Sequence, residues 1–389
     1  MKKNYKNYES ELRSLKKINF FNNKKILILK KKKISFYYDN LISGIIDFGK
    51  PKKTFYIHYD SSSNYLEISK KIDNIIFKEN IGIFICASYY FIIPTILKKI
   101  QDRVYRIRID GDDAFHFHNY SKWYAQFFDL NITNCLSIKK QFKKLGSNSI
   151  VYASPFKKKL KKNINRKYTV TFVGLLKNKL NRLDFINSIK KTDINIDIFG
   201  ADSPSGYISQ NKVFEIYQNS MINLNFTGIS YEDNQPNKYF KKTTMTGRIF
   251  EIIGSGGFLI SENDDSIKYF FEPEKDLVIF KNKSDLIKKI KYYLANPNKR
   301  KQIAMNGHKK FLRLYEYNKY MPNFVYQISQ QKEYKKIIDY YIWPNELRKF
   351  LIRFINKRFI IYPNYFYYSF KLTKKSFLFD RLINYYKKL

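Results

Sequence analysis

Short apolar runs recur along the chain, separated by stretches in which apolar positions fall three or four residues apart. The runs Lys25–Leu29, Ile34–Tyr38, Thr54–His58, Ile81–Ile85, Tyr105–Ile109, Leu130–Thr133 and Ile150–Tyr152 predict strands. Helical spacing over Tyr65–Phe77, Thr95–Gln101 and Ser137–Leu145 predicts helices among them. The same rhythm resumes with strands at Thr169–Val173, Ile194–Phe199, Met221–Phe226 and Leu277–Phe280, and helices at Arg182–Lys190 and Val213–Gln218. Ser284 is placed to cap a helix with the apolar face Leu286, Ile287, Ile290 and Leu294; Asn296-Pro297 ends it, and a last helix runs to about Tyr317. Strands alternating with helices predict an α/β chain with parallel sheets covered on both faces. The basic run 157–167 divides it into a first domain at 24–156 and a second at 168–320, with a basic leader, loose or helical, at 1–23 and a helical, basic and aromatic extension at 321–389.

Composition fits this division. The 389 residues are 44% apolar, enough for two domains with full cores. Lys and Arg number 73 against 33 acids, giving +40. Lys, Asn, Ile, Tyr and Phe are abundant and Ala and Gly scarce, so an AT-rich gene explains part of that charge. The remainder fits a lysine-coated surface, nucleic acid, an anionic membrane or phosphorylated substrates; lysines scattered through every segment favour the last two. Cys86 and Cys135 lie in apolar runs and read as buried thiols rather than a disulfide framework. The N-terminus lacks a signal-peptide pattern, and the uncharged run Ile81–Leu97 is interrupted and too short to span a bilayer, so a cytoplasmic location is expected. Near the C-terminus, within 346–361, Leu347, Phe350, Leu351, Phe354 and Ile355 share one helical face, with Arg348, Lys349, Arg353, Asn356 and Lys357 opposite. Such a helix packs back on the core or lies peripherally on an anionic membrane.

The chemistry concentrates at Thr246-Gly-Arg-Ile-Phe-Glu-Ile-Ile-Gly-Ser-Gly-Gly-Phe-Leu-Ile-Ser261, read as a short helix, a glycine turn (Gly254, Gly256, Gly257) and a buried strand. Arg248 and Glu251, three apart, share one face near the helix start. A helix start favours phosphate, an arginine there forks onto a diphosphate, and a carboxylate one turn on accepts bonds from two ribose hydroxyls. Lys241, Lys242, Thr243, Thr244 and Thr246 supply cations and hydroxyls nearby. Taken alone, the same residues also read as a surface helix with an Arg–Glu pair contributing about 0.3 kcal/mol.

A longer ordered set favours the first reading. Thr-Val-Thr-Phe-Val-Gly174, Arg182, Asp-Ile-Phe-Gly200, Ile-Asn-Leu-Asn225-Phe, Gly-Arg248-Ile-Phe-Glu251 with its glycines, and Asn-Pro297 through Gly307 follow one another between Thr169 and Tyr317. That stretch resembles the C-terminal domain of GT-B type group 1 glycosyltransferases, and is most similar to their CgeB-like, spore-maturation-protein-like branch. The resemblance implies two Rossmann-like domains facing a cleft. It assigns Glu251 to the donor's ribose and a basic residue, Arg248 first and Lys177 and Arg182 after it, to the diphosphate. Gly174, Asn225, Thr246 and Gly256 complete the expected donor set. Many retaining members carry another glutamate eight positions before this one; here that position is Thr243, so retention does not transfer.

The first domain contributes Ile109-Asp-Gly-Asp-Asp-Ala-Phe-His-Phe-His118 at a strand end, where open α/β sheets bind ligands. Transfer to a hydroxyl needs a base, and Asp112, Asp113 and His116 are the candidates. Asp110-Gly-Asp112 also fits a metal motif of the other large glycosyltransferase fold, and His116-x-His118 could hold a transition metal. The resemblance needs neither, so the expected donor site is metal-free and uses no cofactor beyond the nucleotide-sugar. His58 reads as a core-edge residue and His308 as solvent-facing. No Ser-His-Asp, zinc-spacing or P-loop pattern is present, and Gly254-Ser-Gly-Gly lacks the dinucleotide fingerprint. The expected function is transfer of a sugar, a hexose in most such enzymes, from a nucleotide-diphosphate sugar to a cell-surface glycan or lipid-linked precursor. The alternatives are a nucleic-acid-binding protein and a glycosyltransferase-like binding protein without turnover.

Overall fold

The computed structural model describes residues 8–11, 20–32, 35–60, 63, 65–87, 92, 94–117, 121–157, 165–176, 179–229 and 242–331. The amphipathic segment 346–361, His118, Lys177, Lys241 and most of the 157–167 run lie outside the described residues.

The first domain runs β1 (Lys25–Lys31), α1 (Phe36–Gly49), β2 (Lys53–Tyr59), α2 (Tyr65–Lys78), β3 (Ile83–Ala87), α3 (Pro94–Lys99) and β4 (Tyr105–Asp110). The short turns α4 (Asp113–His116) and α5 (Lys122–Tyr124) precede β5 (Leu130–Thr133), α6 (Leu136–Lys144) and β6 (Ser149–Val151). Its six strands form a parallel sheet in the order β2-β1-β3-β4-β5-β6. Every residue of β3, β4 and β5 is buried, as expected of central strands with helices on both faces.

The second domain runs β7 (Tyr168–Val173), α7 (Leu180–Lys190), β8 (Ile196–Phe199), α8 (Gln210–Asn219) and β9 (Ser220–Asn225). A two-stranded ribbon of β10 (Gly228–Ile229) and β11 (Lys242–Thr243) leads into α9 (Arg248–Gly254), β12 (Leu259–Glu262), α10 (Asp265–Phe270) and β13 (Val278–Phe280). α11 (Lys283–Ala295), α12 (Pro297–Leu314) and α13 (Tyr317–Ser329) complete it. The second sheet, β13-β12-β9-β7-β8, is also parallel throughout.

Three sequence expectations change. The strand expected at Ile34–Tyr38 is, in its described part from Ser35 on, the cap and start of a helix: α1 begins at Phe36. Its aromatic run mimics a strand, but the helical period shows only downstream, where Leu41, Ile42 and Ile45 are buried. Phe36 instead packs on Phe156 and on Phe214 of α8, across the domain junction. The cap of α11 is Asn282, whose side chain accepts from the Asp285 N–H, so Ser284 lies inside the helix. The described part of the leader is packed rather than loose: Tyr8 is buried among Tyr269, Phe270, Tyr315 and Tyr320, and Phe20 and Phe21 join the core beside Tyr105.

The two sheets face each other through their strand ends. Asn134, just past β5, donates to the Met245 carbonyl at 2.7 Å, and the Leu136 N–H donates to Ser266 Oγ at 2.9 Å. The expected boundary at 320 falls inside α13, which leaves the second domain and packs on α1 of the first. There Tyr317 donates to Asp47 Oδ2 at 2.7 Å, and Tyr320 Oη accepts from the Ala153 N–H at 2.8 Å. A continuous hydrophobic cluster runs through both domains, from Ile26 and Ile107 to Ile249, Tyr315 and Phe324.

Candidate functional site

β7 and β9 end side by side in the second sheet, and α9 starts above them. Arg248, the first residue of α9, is fixed from below. Its Nη1 donates to Asn225 Oδ1 at 2.8 Å, Thr246 Oγ1 donates to the same oxygen at 2.8 Å, and Asn225 Nδ2 donates to Ser261 Oγ at 2.9 Å. The guanidinium carbon lies 5.1 Å from the centre of the Phe172 ring. A Cβ on Gly174 would stand 2.6 Å from Arg248 Nη2, so only glycine allows this approach. Arg182, from α7, comes beside Arg248. Burial and the Arg248 charge pull its pKa down to about 10, with Glu262 and Asp202 opposing. Arg182 Nη1 donates to the Leu175 carbonyl at 3.0 Å, while its buried Nε has no acceptor among the described residues. Two guanidinium groups whose charges oppose each other near the strand ends have the chemistry to receive a polyanion.

Glu251 lies one turn into α9 and is 3% exposed. Its carboxylate accepts from Gln210 Nε2, and the Tyr217 and Tyr37 phenols lie against it. Burial raises its pKa, opposed by the Arg248 charge and these three neighbours. Tyr217 also feels the Arg248 charge, so α8 brings one phenol up to both side chains of α9. Tyr37 comes from α1 of the first domain, and its ring lies so close to Gly247 that a Cβ there would overlap it.

Across the cleft, Asp110 ends β4. Fully buried Arg108 donates through Nη2 to Asp110 Oδ2 at 2.7 Å, Asp113 Oδ1 at 2.6 Å and Ser121 Oγ at 3.0 Å. Asp110 Oδ1 accepts the Asp112 N–H at 2.8 Å, and the Gly111 N–H donates to the Tyr38 hydroxyl. This internal scaffold leaves Asp112 exposed at the tip of the turn. Partial desolvation and the Asp113 charge raise the Asp112 pKa, while Lys31 and Lys179 act against them. Asp112 caps α4, which packs on β11 of the second domain, so the turn faces that domain.

The predicted site residues thus separate. Arg248, Arg182, Gly174, Thr246 and Glu251 are brought together. Asn225 is buried with its amide turned onto Thr246, Arg248 and Ser261. Gly256 is not brought to the others: it sits past the far end of α9, ahead of β12, at the opposite end of the strands from Arg248. Asp113 faces inward, with burial pushing it up to about 6, and cannot reach an acceptor in the cleft as placed. The side chain of His116 lies outside the described residues. Asp110 turns onto Arg108 and so does not join Asp112 as a ligand pair. Among the described residues, no group of three or more His, Cys, Asp or Glu is arranged to hold a metal. His308 is tucked under α9 with Nδ1 3.1 Å from the Ile253 carbonyl, not facing solvent, and burial lowers its pKa. His58 is exposed and stacks on Tyr56. Both cysteines are buried free thiols.

Tyr37, Gln210 and Tyr217 were not singled out from sequence. Gln210 and Tyr217, seven residues apart, share a face of α8 that is otherwise apolar, and that spacing was the available signal.

This architecture, two parallel α/β sheets with facing strand ends, is that of the GT-B glycosyltransferases. It is similar to sucrose-phosphate synthase from Thermosynechococcus elongatus, with TM-score 0.56 and 8% identity over 79% of this chain and 99% of that one. Anabaena HepE, in complex with UDP and glucose, gives TM-score 0.55 and 10% identity over 79% and 100%. A glycosyltransferase from Rickettsia africae gives 0.51 and 12% over 80% and 99%. At these identities the likeness is one of fold. In sequence, residues 182–325 match the family described as glycosyl transferase-like, a span that includes Arg182, Arg248 and Glu251. No curated protein matches the chain in sequence.

Proposed function

We propose that the chain is a glycosyltransferase that moves a sugar, a hexose by its resemblance, from a nucleotide-diphosphate donor to a hydroxyl acceptor. The observation that carries this reading is the Arg182–Arg248 pair at the strand ends of the second domain, opposite Asp112 at a strand end of the first. The glycosyl transferase-like match over the second domain and a GT-B relative in complex with UDP and glucose support it. In the reaction, Asp112 takes the proton of the acceptor hydroxyl. The new bond forms from that oxygen to the anomeric carbon as the anomeric carbon–phosphate oxygen bond breaks. The nucleoside diphosphate leaves with the electron pair and is received by the two arginines. A carboxylate whose pKa is raised above the ordinary range is the better proton acceptor, and Asp112 is shifted in that direction.

Charge on the departing diphosphate is met by guanidinium groups, so we infer transfer without a metal. Placement in the CgeB-like branch rests on the motif order between Thr169 and Gly307. The acceptor we favour is a cell-surface glycan or lipid-linked precursor, handled on the cytoplasmic side of a membrane, a reading that rests on the resemblance and on the +40 charge. Among the described residues, no helix is long and apolar enough to cross a membrane.

The test is isothermal titration of the full chain with UDP, GDP, ADP, CDP and dTDP in EDTA, followed by nucleotide release from the corresponding sugars. One nucleotide is expected to bind. Arg248→Ala should weaken it by about 2–3 kcal/mol through lost charge-assisted bonds. Asp112→Asn should bind it normally yet turn over roughly 10²–10⁴-fold more slowly. Binding that requires added Mn²⁺ would remove the metal-free inference. No binding under either condition would remove the glycosyltransferase.

A further inference from the structure

The carboxylate assigned to the ribose is already engaged. Gln210 donates to Glu251, the Tyr217 and Tyr37 phenols lie against it, and the residue is 3% exposed. A ribose diol therefore reaches the carboxylate only if one of these covering side chains moves away. Gln210 and Tyr217 sit at either end of α8, which packs on α9 within the same domain. Tyr37 alone comes from the other domain, in the first turn of α1. Its ring also covers Gly247, next to Arg248 and at the entrance to the arginine pair.

We propose that Tyr37 is a ribose-mimicking latch: its hydroxyl holds on Glu251 the place of a donor hydroxyl, and nucleotide binding displaces it. The inference rests on the ribose role proposed for Glu251. Displacement of Tyr37 frees the start of α1, where Phe36 packs on Phe156 and Phe214 across the domain junction. Arrival of the donor in the second domain is thereby transmitted to the first. In the absence of nucleotide, the latch shields both the buried carboxylate and the approach to Arg248.

Tyr37→Phe keeps the ring over Gly247 and removes only the competing hydroxyl. Titration of the full chain with the same nucleoside diphosphates in EDTA should give a Kd tighter by roughly ten- to hundredfold, the equivalent of one hydrogen bond to a charged group. A purely structural tyrosine would lower the melting temperature without tightening the Kd. An unchanged or weaker Kd in Tyr37→Phe, while Glu251→Gln loses binding, overturns the latch and leaves the ribose role standing. Wild-type affinity in Glu251→Gln overturns the ribose role and the latch with it. Absence of binding by both wild type and Tyr37→Phe has the same effect, whereas binding by Tyr37→Phe alone supports the latch.

Discussion

Asp113 is a carboxyl group held in a place that favours its proton. Burial raises its pKa from 3.8 to about 6, and its Oδ2 has no hydrogen-bond partner among the described residues, while Arg108 holds Oδ1. Between those two values the folded protein carries a proton that the unfolded chain has released, so this group's contribution to stability falls as pH rises from about 4 to 6. Asp113→Asn removes the titration. Its melting temperature relative to wild type should therefore be more favourable at pH 7.5 than at pH 4.5, by about 2 kcal/mol when converted to free energy. A pH-independent difference would show that Asp113 does not titrate in this range. At the same scale, Arg248 and Glu251 were legible in sequence because both lie on one helix face three residues apart. The occupancy of Glu251 was not, because Tyr37 reaches it from the other domain and no local pattern records a partner so distant in sequence.

Among the elements, β4 and β5 are joined by more than their ladder. Arg106 donates through Nε and Nη2 to the two oxygens of Asp129 at 2.9 and 2.6 Å, its own N–H adds a bond at 2.7 Å, and both side chains are fully buried. Removing one member leaves a buried charge unpaired, so Asp129→Ala should cost about 3–5 kcal/mol in urea denaturation. Arg106→Met combined with Asp129→Leu should recover most of it. A single variant near neutrality would contradict the account. Strands such as β3 and β9 were legible because buried parallel strands are continuous apolar runs. The start of α1 was not, because Phe36, Tyr37 and Tyr38 are aromatic for their contacts beyond the helix: Phe36 across the junction, Tyr37 at Glu251, and Tyr38 at Gly111. Contacts of that kind override local propensity.

For the whole molecule, the continuous core predicts shared stability. Tyr320 is buried between Tyr8 and Tyr315, stacks on Phe324 with centroids 5.5 Å apart, and accepts the Ala153 N–H. Calorimetry of the full chain should show one main transition, and Tyr320→Ala should lower its stability by about 3–5 kcal/mol without splitting it. Two resolved transitions in wild type would show domains that unfold independently. The division into two sheets was legible from the rhythm of strands and helices, but the return of α13 was not, since an amphipathic helix does not announce which surface it covers.

That return limits how such a protein can be rebuilt. α13 follows the second domain in sequence and belongs to the first in space, with Met321 seated against Gly44 of α1. A recombination joint placed where the second sheet ends would carry the wrong helix onto a foreign α1, leaving Leu41 and Ile45 without their native cover. The second domain is therefore not a self-contained cassette. An exchange that preserves both cores needs a second crossover between α12 and α13, near Tyr315 and Glu316, so that each half keeps the helix it is packed against.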